Sequence, residues 1–546
     1  MLVIVGGFLR LFNLHNVPPG LNFDETLYGL DSYNILKTGR DMYGHFMPLA
    51  FQSSGYYPPL YTYILVPFLA VFGVSSEVVR LPSAIAGIVS IVIIYLFTKK
   101  LFPDRKGFVP IISAFLLTLL PWHIHISRVS FLAGFGIIFV LLGLYLFLKA
   151  KKTMFYLDLS AISLALSVFV HYGYVFFSPI MFTILIILFW KKYNLSLKNL
   201  YLPGVIWFIT FSLLLIAYSK YNMAFRINEF SGKSIFTITG HYLKTFSPQF
   251  LFVSGDDYRL ANPWGEGQLP VLLFPFIVLG LIRLRRFQYQ TKILLIALLL
   301  LIPIPSAIAG LGKNAVRNSP LIIPLIIFAS IGIEPFINFR GLKGLGILPS
   351  SLHEQAHTSK LLGSMYSLAR FHPSSQTRWC ILRANIKKFA TNFTVKVLTI
   401  FTALIFLTGI FSSLRYYFSD YSKEYSYLWG NPKRQVVDYI LKNKERFGHI
   451  FITDTYNLML SYYSFETRLL PEEIQTAILK PSAFDGLPTK KIDNVYFIAT
   501  EELKEENFYR DVPKGSLIVD PIFYIDNSEF KVVKYMNRDS FQYLRI

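Results

Sequence analysis

A single cysteine, Cys380, stands among 546 residues, so no disulfide can form within the chain and its redox compartment stays open. Acidic residues are also scarce. Asp and Glu number 32 against 53 Lys and Arg, a net charge of +21, and charged residues make up only 16% of the chain. No cleavable leader is legible, because Arg10 interrupts the apolar start Leu2–Leu9 and no small-residue cleavage site follows. That first run is short for a complete span, which leaves room for a true start further upstream. No internal repeat is evident.

What fills the chain instead is apolar: 53% hydrophobic and 17% aromatic residues, with a mean hydropathy of +0.46. This composition excludes an ordinary soluble domain and fits an integral membrane protein. The basic excess does not point to nucleic acid, because Lys and Arg cluster at the ends of apolar runs, where orientation in a bilayer is decided.

Charge then sets the order of crossings. A polar, aromatic loop runs from His15 to about Tyr57, with a short amphipathic helix carrying Glu25, Tyr28, Tyr33 and Leu36 and ending near Gly39. Pro58 to Val74 is apolar enough to span. If it lies along the interface instead, Leu81 to Phe97 delivers Lys99, Lys100, Arg105 and Lys106 to the cytoplasm, as the positive-inside tendency requires. It is therefore read as a second interfacial helix. Later inward returns end on Lys149, Lys151 and Lys152, then on Lys191 and Lys192, then on Arg283, Arg285 and Arg286. The expectation is an all-α polytopic membrane domain over 1–414, with about eleven transmembrane helices and two interfacial ones. Its outer loop covers 15–80, and 341–388 forms a basic cytoplasmic insertion. A small α/β soluble domain follows over 415–546, on the extracytoplasmic side. There Asn431-Pro432 reads as a helix start, and His449–Thr453 and Asn494–Ile498 read as buried strands.

Under this topology the outer face gathers Asp24 and Glu25, then Arg128, His171, the loop from Lys220 to Gln268 with Arg259, and Lys313 with Arg317. A carboxylate can take a proton from an acceptor hydroxyl, and cations can neutralise a phosphate, Arg by a bidentate fork and Lys as a point charge. Interfacial tyrosines such as Tyr57 suit a prenyl chain on one side and water on the other. From the residues alone, Asp24 has a second reading: it caps the following helix, with Glu25 favouring the helix's positive end. Arg317 equally fits an arginine that snorkels to the interface.

The order of short motifs carries a resemblance. Arg10-Leu11-Phe12 leads through Pro18-Pro19-Gly20-Leu21 to Phe23-Asp24-Glu25. Thr38-Gly39-Arg40-Asp41, Tyr57-Pro58-Pro59-Leu60-Tyr61 and Arg80-Leu81-Pro82-Ser83 follow. Ser127-Arg128, Gly265-Glu266-Gly267-Gln268, Arg317-Asn318-Ser319-Pro320 and, in the tail, Trp429-Gly430 continue the series. This resembles the membrane glycosyltransferases of the protein mannosyltransferase and aminoarabinose transferase type, which have the GT-C fold. The resemblance implies that Asp24, with Glu25 beside it in the Asp-Glu motif, is the catalytic acid/base and that Arg317 meets the donor phosphate; Arg128, Lys313, Tyr57 and Arg259 are candidates for binding from their expected place on the outer face. It implies a polyprenyl-phosphate-linked sugar donor, a lipid, glycan or protein acceptor, surrounding membrane lipids, and a multi-pass place in the plasma or inner membrane. Where relatives often carry an acid after the Ser-Arg pair, this chain has Phe131-Leu132-Ala133, which puts a second acid and any divalent metal in doubt. Asp256 and Asp257 are possible substitutes. The competing classes are a transporter or flippase for lipid-linked sugars and a non-catalytic binder. A transporter would more often bury ionisable residues at the midplane, and few are visible.

Overall fold

A computed structural model describes residues 1–337 apart from 53–54, 104–106 and 222–232. It describes 397 and 400–499 apart from 455–456, 481 and 485–486, and in the tail 512–513, 515–520, 530–534 and 541–545. The expected basic insertion at 341–388 lies outside these residues.

The chain is a multi-pass membrane protein. Among the described residues six helices are long and apolar enough to cross a bilayer: Ser76–Leu101, Leu132–Lys149, Leu197–Lys220, Tyr289–Ile308, Ser319–Ile337 and Ile400–Glu424. Val109–Leu119 and Pro121–Arg128, bent by 58°, make a seventh if the pair counts as one span. The difference from the expected eleven lies in short helices. Leu2–Leu11, Phe155–Val168 and Gly173–Phe189 are apolar but run only 10–17 residues, and Leu273–Arg283 has 11. The 58° bend has a local cause: Pro121 cannot donate to the preceding turn, so the helix restarts there with proline in its first turn.

Six elements position the site. Helix α1 (Leu2–Leu11) leads into a loop, and α2 (Phe23–Thr38) begins at Asn22. A small hairpin pairs β1 (Phe51–Gln52) with β2 (Tyr56–Tyr57). Helix α3 (Leu60–Phe72) packs Tyr61, Leu65 and Leu69 against α2 and against α4 (Ser76–Leu101). Gly39, at φ 69°, ends α2 in the left-handed conformation expected of a glycine stop.

The sequence suggested an amphipathic α2. Instead, every residue from Glu25 to Ser32 is buried. The reason is tertiary: α2 lies between α3 on one side and the tail helix Leu458–Thr467 on the other, with Phe465 in the same apolar cluster as Leu27 and Leu30. A helix covered on several sides no longer shows a wet face.

The tail holds a seven-stranded mixed sheet in the order β4-β5-β6-β3-β7-β9-β8. Its members are β3 (Ile450–Asp454), β4 (Ser482–Phe484), β5 (Leu487–Ile492), β6 (Val495–Ala499), β7 (Leu517–Asp520), β8 (Phe530–Lys534) and β9 (Phe541–Arg545). The two strands read from sequence are β3 and β6. They pair in parallel, and β3 also runs parallel to β7. Every residue of β3 is buried, as a strand covered on both faces requires. Helix Asn431–Asn443 contributes Val436, Val437 and Ile440 to this core.

The tail meets the 15–80 loop through backbone. The Tyr462 hydroxyl donates to the Leu21 carbonyl at 2.7 Å, and the Gln475 amide donates to the Asp41 carbonyl at 3.0 Å. Gly20 and Gly430, both at positive φ (77° and 67°), face each other at this seam. A Cβ on Gly20 would strike the Trp429 carbonyl, and one on Gly430 the Leu21 carbonyl and the Tyr462 hydroxyl. Only glycine satisfies both the backbone angle and the space there.

Candidate active site

The start of α2 sends its two acids in different directions. Asn22 is the N-cap: its side chain accepts from the Glu25 N–H at 3.0 Å, and Glu25 accepts from the Asn22 N–H at 3.1 Å. This reciprocal capping box removes the reading of Asp24 as the cap. Glu25 continues inward. Its carboxylate accepts two bonds from Arg80, at 2.8 and 2.9 Å, and one from the Ser130 N–H at 3.1 Å, with Glu25 and Arg80 both fully buried. Arg80 also donates to the carbonyls of Pro18 (2.7 Å) and Gly20 (2.5 Å), and its guanidinium lies 5.5 Å from the Trp429 ring. Glu25 is thus a buried anchor, not a group open to substrate. Successive helical residues differ by about 100° in direction, so Asp24 turns the other way. It is the one exposed position between Leu21 and Ser32.

Asp24 opens into a cavity of about 840 Å³. The walls bring together distant pieces of chain: Tyr28 from α2, Tyr57 from β2, His171 and Tyr172, Tyr258, Arg317 from the loop before helix Ile322–Ile337, and Lys433 and Tyr462 from the tail. Asp24 is the only carboxylate among the lining residues, facing the cations of Arg317 and Lys433. Much of the remaining wall is apolar, from Phe131, Leu132, Ala133, Leu214, Ile302 and Val316. The acid-free stretch after Ser127-Arg128 therefore lines the cavity itself, without supplying a second acid.

The electrostatics around Asp24 favour phenols that keep their protons. Burial, and after it the charge of Asp24, raises the Tyr28 and Tyr258 hydroxyls above their ordinary range. Tyr462 is raised chiefly by burial, with Glu25 and Asp24 adding to it. Tyr57 is held by a second buried acid. Its hydroxyl donates to Asp31 at 2.6 Å, and the other Asp31 oxygen accepts from the Met42 N–H at 3.0 Å. Burial, then the nearby Asp41, pushes Asp31 up to about 7.

Arg317 is positioned from behind. The Asp256 carboxylate accepts from the Ala315 N–H (2.8 Å) and the Tyr258 N–H (3.0 Å), and the Trp122 indole donates to the Ala315 carbonyl at 3.0 Å. The Asn314 side chain accepts from the Arg317 N–H at 2.7 Å. Asp256 thus ties two lining segments together and is not itself on the wall; neither is Asp257. Lys313 acts on Asp256 through its charge and does not line the cavity.

Two more expected binders sit elsewhere. Arg128 is fully buried and donates to the carbonyls of Leu9 (3.0 Å), Asn13 (3.3 Å) and Val17 (2.6 Å), with the Phe418 ring 4.8 Å away. It clamps the loop between α1 and α2. Arg259 lies 5.7 Å from the Tyr425 ring, and its carbonyl accepts from the Tyr421 hydroxyl at 2.9 Å. Of the seven candidates, Asp24, Arg317 and Tyr57 share the cavity, while Glu25, Arg128, Lys313 and Arg259 do not. His171 is on the wall with Nδ1 accepting from the Gly173 N–H at 3.1 Å, which occupies one of the two nitrogens a metal could use. Among the described residues no group of three or more His, Cys, Asp or Glu is arranged to hold a metal ion.

Residues 57–216 match the family described as dolichyl-phosphate-mannose-protein mannosyltransferase. Over 100% of the chain and 96% of its own, the structure of ArnT from Cupriavidus metallidurans in the apo state superposes with a TM-score of 0.51 at 13% identity. The same protein bound to undecaprenyl phosphate gives the same values. The chain has the GT-C fold of the protein mannosyltransferase and ArnT type. An oligosaccharyltransferase from Archaeoglobus fulgidus, tethered to an acceptor peptide, matches 85% of the chain and 62% of its own at 13% identity, with a TM-score of 0.48. No curated protein matches the sequence. Within this GT-C chain, the two helices expected from the sequence to be interfacial correspond to α2 and α3, and the cavity opens at the start of α2.

Three contributors to the site escaped the sequence reading. Arg80 had a signal, since a cation at the start of an apolar span needs a partner and Glu25 is available. Tyr258 sat in a loop with no pattern. Lys433 looked like any first-turn lysine of a soluble helix.

Proposed function

We propose that the chain transfers a sugar from a polyprenyl-phosphate donor to a hydroxyl acceptor at the outer face of the membrane. The observation that carries this reading is the meeting of Asp24 and Arg317 on one cavity whose wall is otherwise largely apolar and phenolic. The acceptor hydroxyl gives its proton to the Asp24 carboxylate while its oxygen bonds to the anomeric carbon. The bond from that carbon to the phosphate oxygen breaks on the opposite side, and the sugar inverts. Arg317 meets the charge that grows on the departing phosphate. Tyr28 and Tyr258, whose phenols remain protonated, can donate to sugar hydroxyls without competing for the acceptor's proton. The location of Asp24 in the first turn of α2 favours its ionised form through the helix dipole. The apolar wall suits a prenyl chain, in line with the undecaprenyl phosphate bound by ArnT. The division at 414/415 into a membrane part and an extracytoplasmic part belongs to the same proposal.

The test incubates purified protein with a panel of polyprenyl-phosphate sugars and measures release of polyprenyl phosphate. Release that depends on a hydroxyl acceptor supports the reading, and none across the panel overturns it. The stretch Phe131-Leu132-Ala133 on the wall favours a second reading, a binder of lipid-linked sugars without turnover. That reading requires donor binding with no release.

A further inference from the structure

Lys433 is an unusual member of the cavity. It sits in the first turn of helix Asn431–Asn443, is half-buried, and is held below its ordinary pKa by burial. Its ammonium stacks over the Tyr462 ring at 5.5 Å, and among the described residues it forms no ion pair. Its neighbour Arg434 differs, reaching Glu466 at 3.8 Å. A cation partly removed from water and not paired with a carboxylate, although it shares the cavity with Asp24, is an unfavourable arrangement until an anion arrives.

Position decides which anion. Lys433 lies against Tyr462, and the Tyr462 hydroxyl donates to the Leu21 carbonyl, three residues before Asp24. Arg317 is held by a different set of contacts, through Asn314, Ala315, Asp256 and Trp122. The group that must reach Asp24 is the acceptor. We infer that Lys433 binds an anionic group, carboxylate or phosphate, carried by the acceptor, so that the tail selects acidic acceptors. This rests on the transfer reading for the word acceptor, but the anion site itself can be tested without turnover.

The experiment uses the full chain in nanodiscs, with alkyl glycosides paired against their uronic acid and 6-phosphate counterparts below micellar concentration. Binding is followed by tryptophan fluorescence, and undecaprenyl phosphate binding is measured in parallel. The wild type binds at least one anionic partner about tenfold more tightly than its neutral pair. Lys433→Gln abolishes that preference, Lys433→Arg keeps it, and neither changes affinity for undecaprenyl phosphate. Equal affinity in every pair, or a preference that survives in Lys433→Gln, overturns the inference. A fall in undecaprenyl phosphate affinity in Lys433→Gln matching the loss of the acidic glycoside also overturns it, by assigning Lys433 to the donor. If the preference depends on Lys433 but no donor is ever cleaved, the transfer reading fails and the anion site stands.

Discussion

Replacing Asp24 and Glu25 one at a time should separate chemistry from architecture. Glu25→Gln keeps an oxygen for the Asn22 N–H, because glutamine also completes a capping box. What it removes is the charge opposite Arg80, a fully buried guanidinium bonded to both carboxylate oxygens at 2.8 and 2.9 Å. Breaking one side of a buried pair costs about 3–5 kcal/mol. Here the lower end applies, since Arg80 retains the Pro18 and Gly20 carbonyls. Asp24→Asn sits at an exposed position, where loss of its interaction with the helix end costs about 0.3–1 kcal/mol. Its effect on turnover is far larger, about 10²–10⁴-fold for loss of a general base. The assay is polyprenyl phosphate release beside thermal denaturation of both variants in one detergent. Asp24→Asn should unfold near the wild-type temperature with turnover lost, and Glu25→Gln should unfold well below it. Wild-type turnover in Asp24→Asn, or wild-type stability in Glu25→Gln, refutes the assignment.

Arg317→Ala should lower kcat/KM by about 10–150-fold, the worth of one charged hydrogen bond at about 1.5–3 kcal/mol, with Lys restoring part of it; initial rates against donor concentration check this. Asp31 holds its proton more tightly in the folded chain, at about 7 against an ordinary 3.8, because of burial and Asp41. Its contribution to stability therefore falls as pH rises from about 4 to about 7 and is level above that. Melting temperatures across that range should show a slope that Asp31→Asn flattens. Gly430→Ala should cost at least about 1–2 kcal/mol from its left-handed backbone, with more from the contact at the Leu21 carbonyl. Limited proteolysis should then cut the tail at lower protease concentration.

Elements whose signal is local were legible. Each expected apolar crossing up to Ser319–Ile333 coincides with a helix, as do Pro58 to Val74 and the start at Asn431-Pro432, and the two expected strands are β3 and β6. Asp24 stood out for its neighbours and its place in the motif order. What failed depended on partners far away in sequence. Glu25 looks like Asp24 in the sequence and differs only because Arg80 meets it from 55 residues on. Arg128 looked like a phosphate binder until three backbone carbonyls, Leu9 of α1 and Asn13 and Val17 of the loop after it, enclosed it. Helix Ile235–Thr245 was read as part of a long loop, because its apolar positions are few and it leaves Ile235 and Phe236 exposed. Asp256 was weighed as a spare acid, but its work is to hold two backbone N–H groups.

The glycine seam has a consequence for how the protein is made. Leu21 and Tyr462 are 441 positions apart, so Asp24 and Arg317 are synthesised before the far wall of their cavity. A chain that stops before Gly430 carries Asp24, Tyr57 and Arg317 but lacks Lys433, Leu458 and Tyr462, which complete the cavity wall.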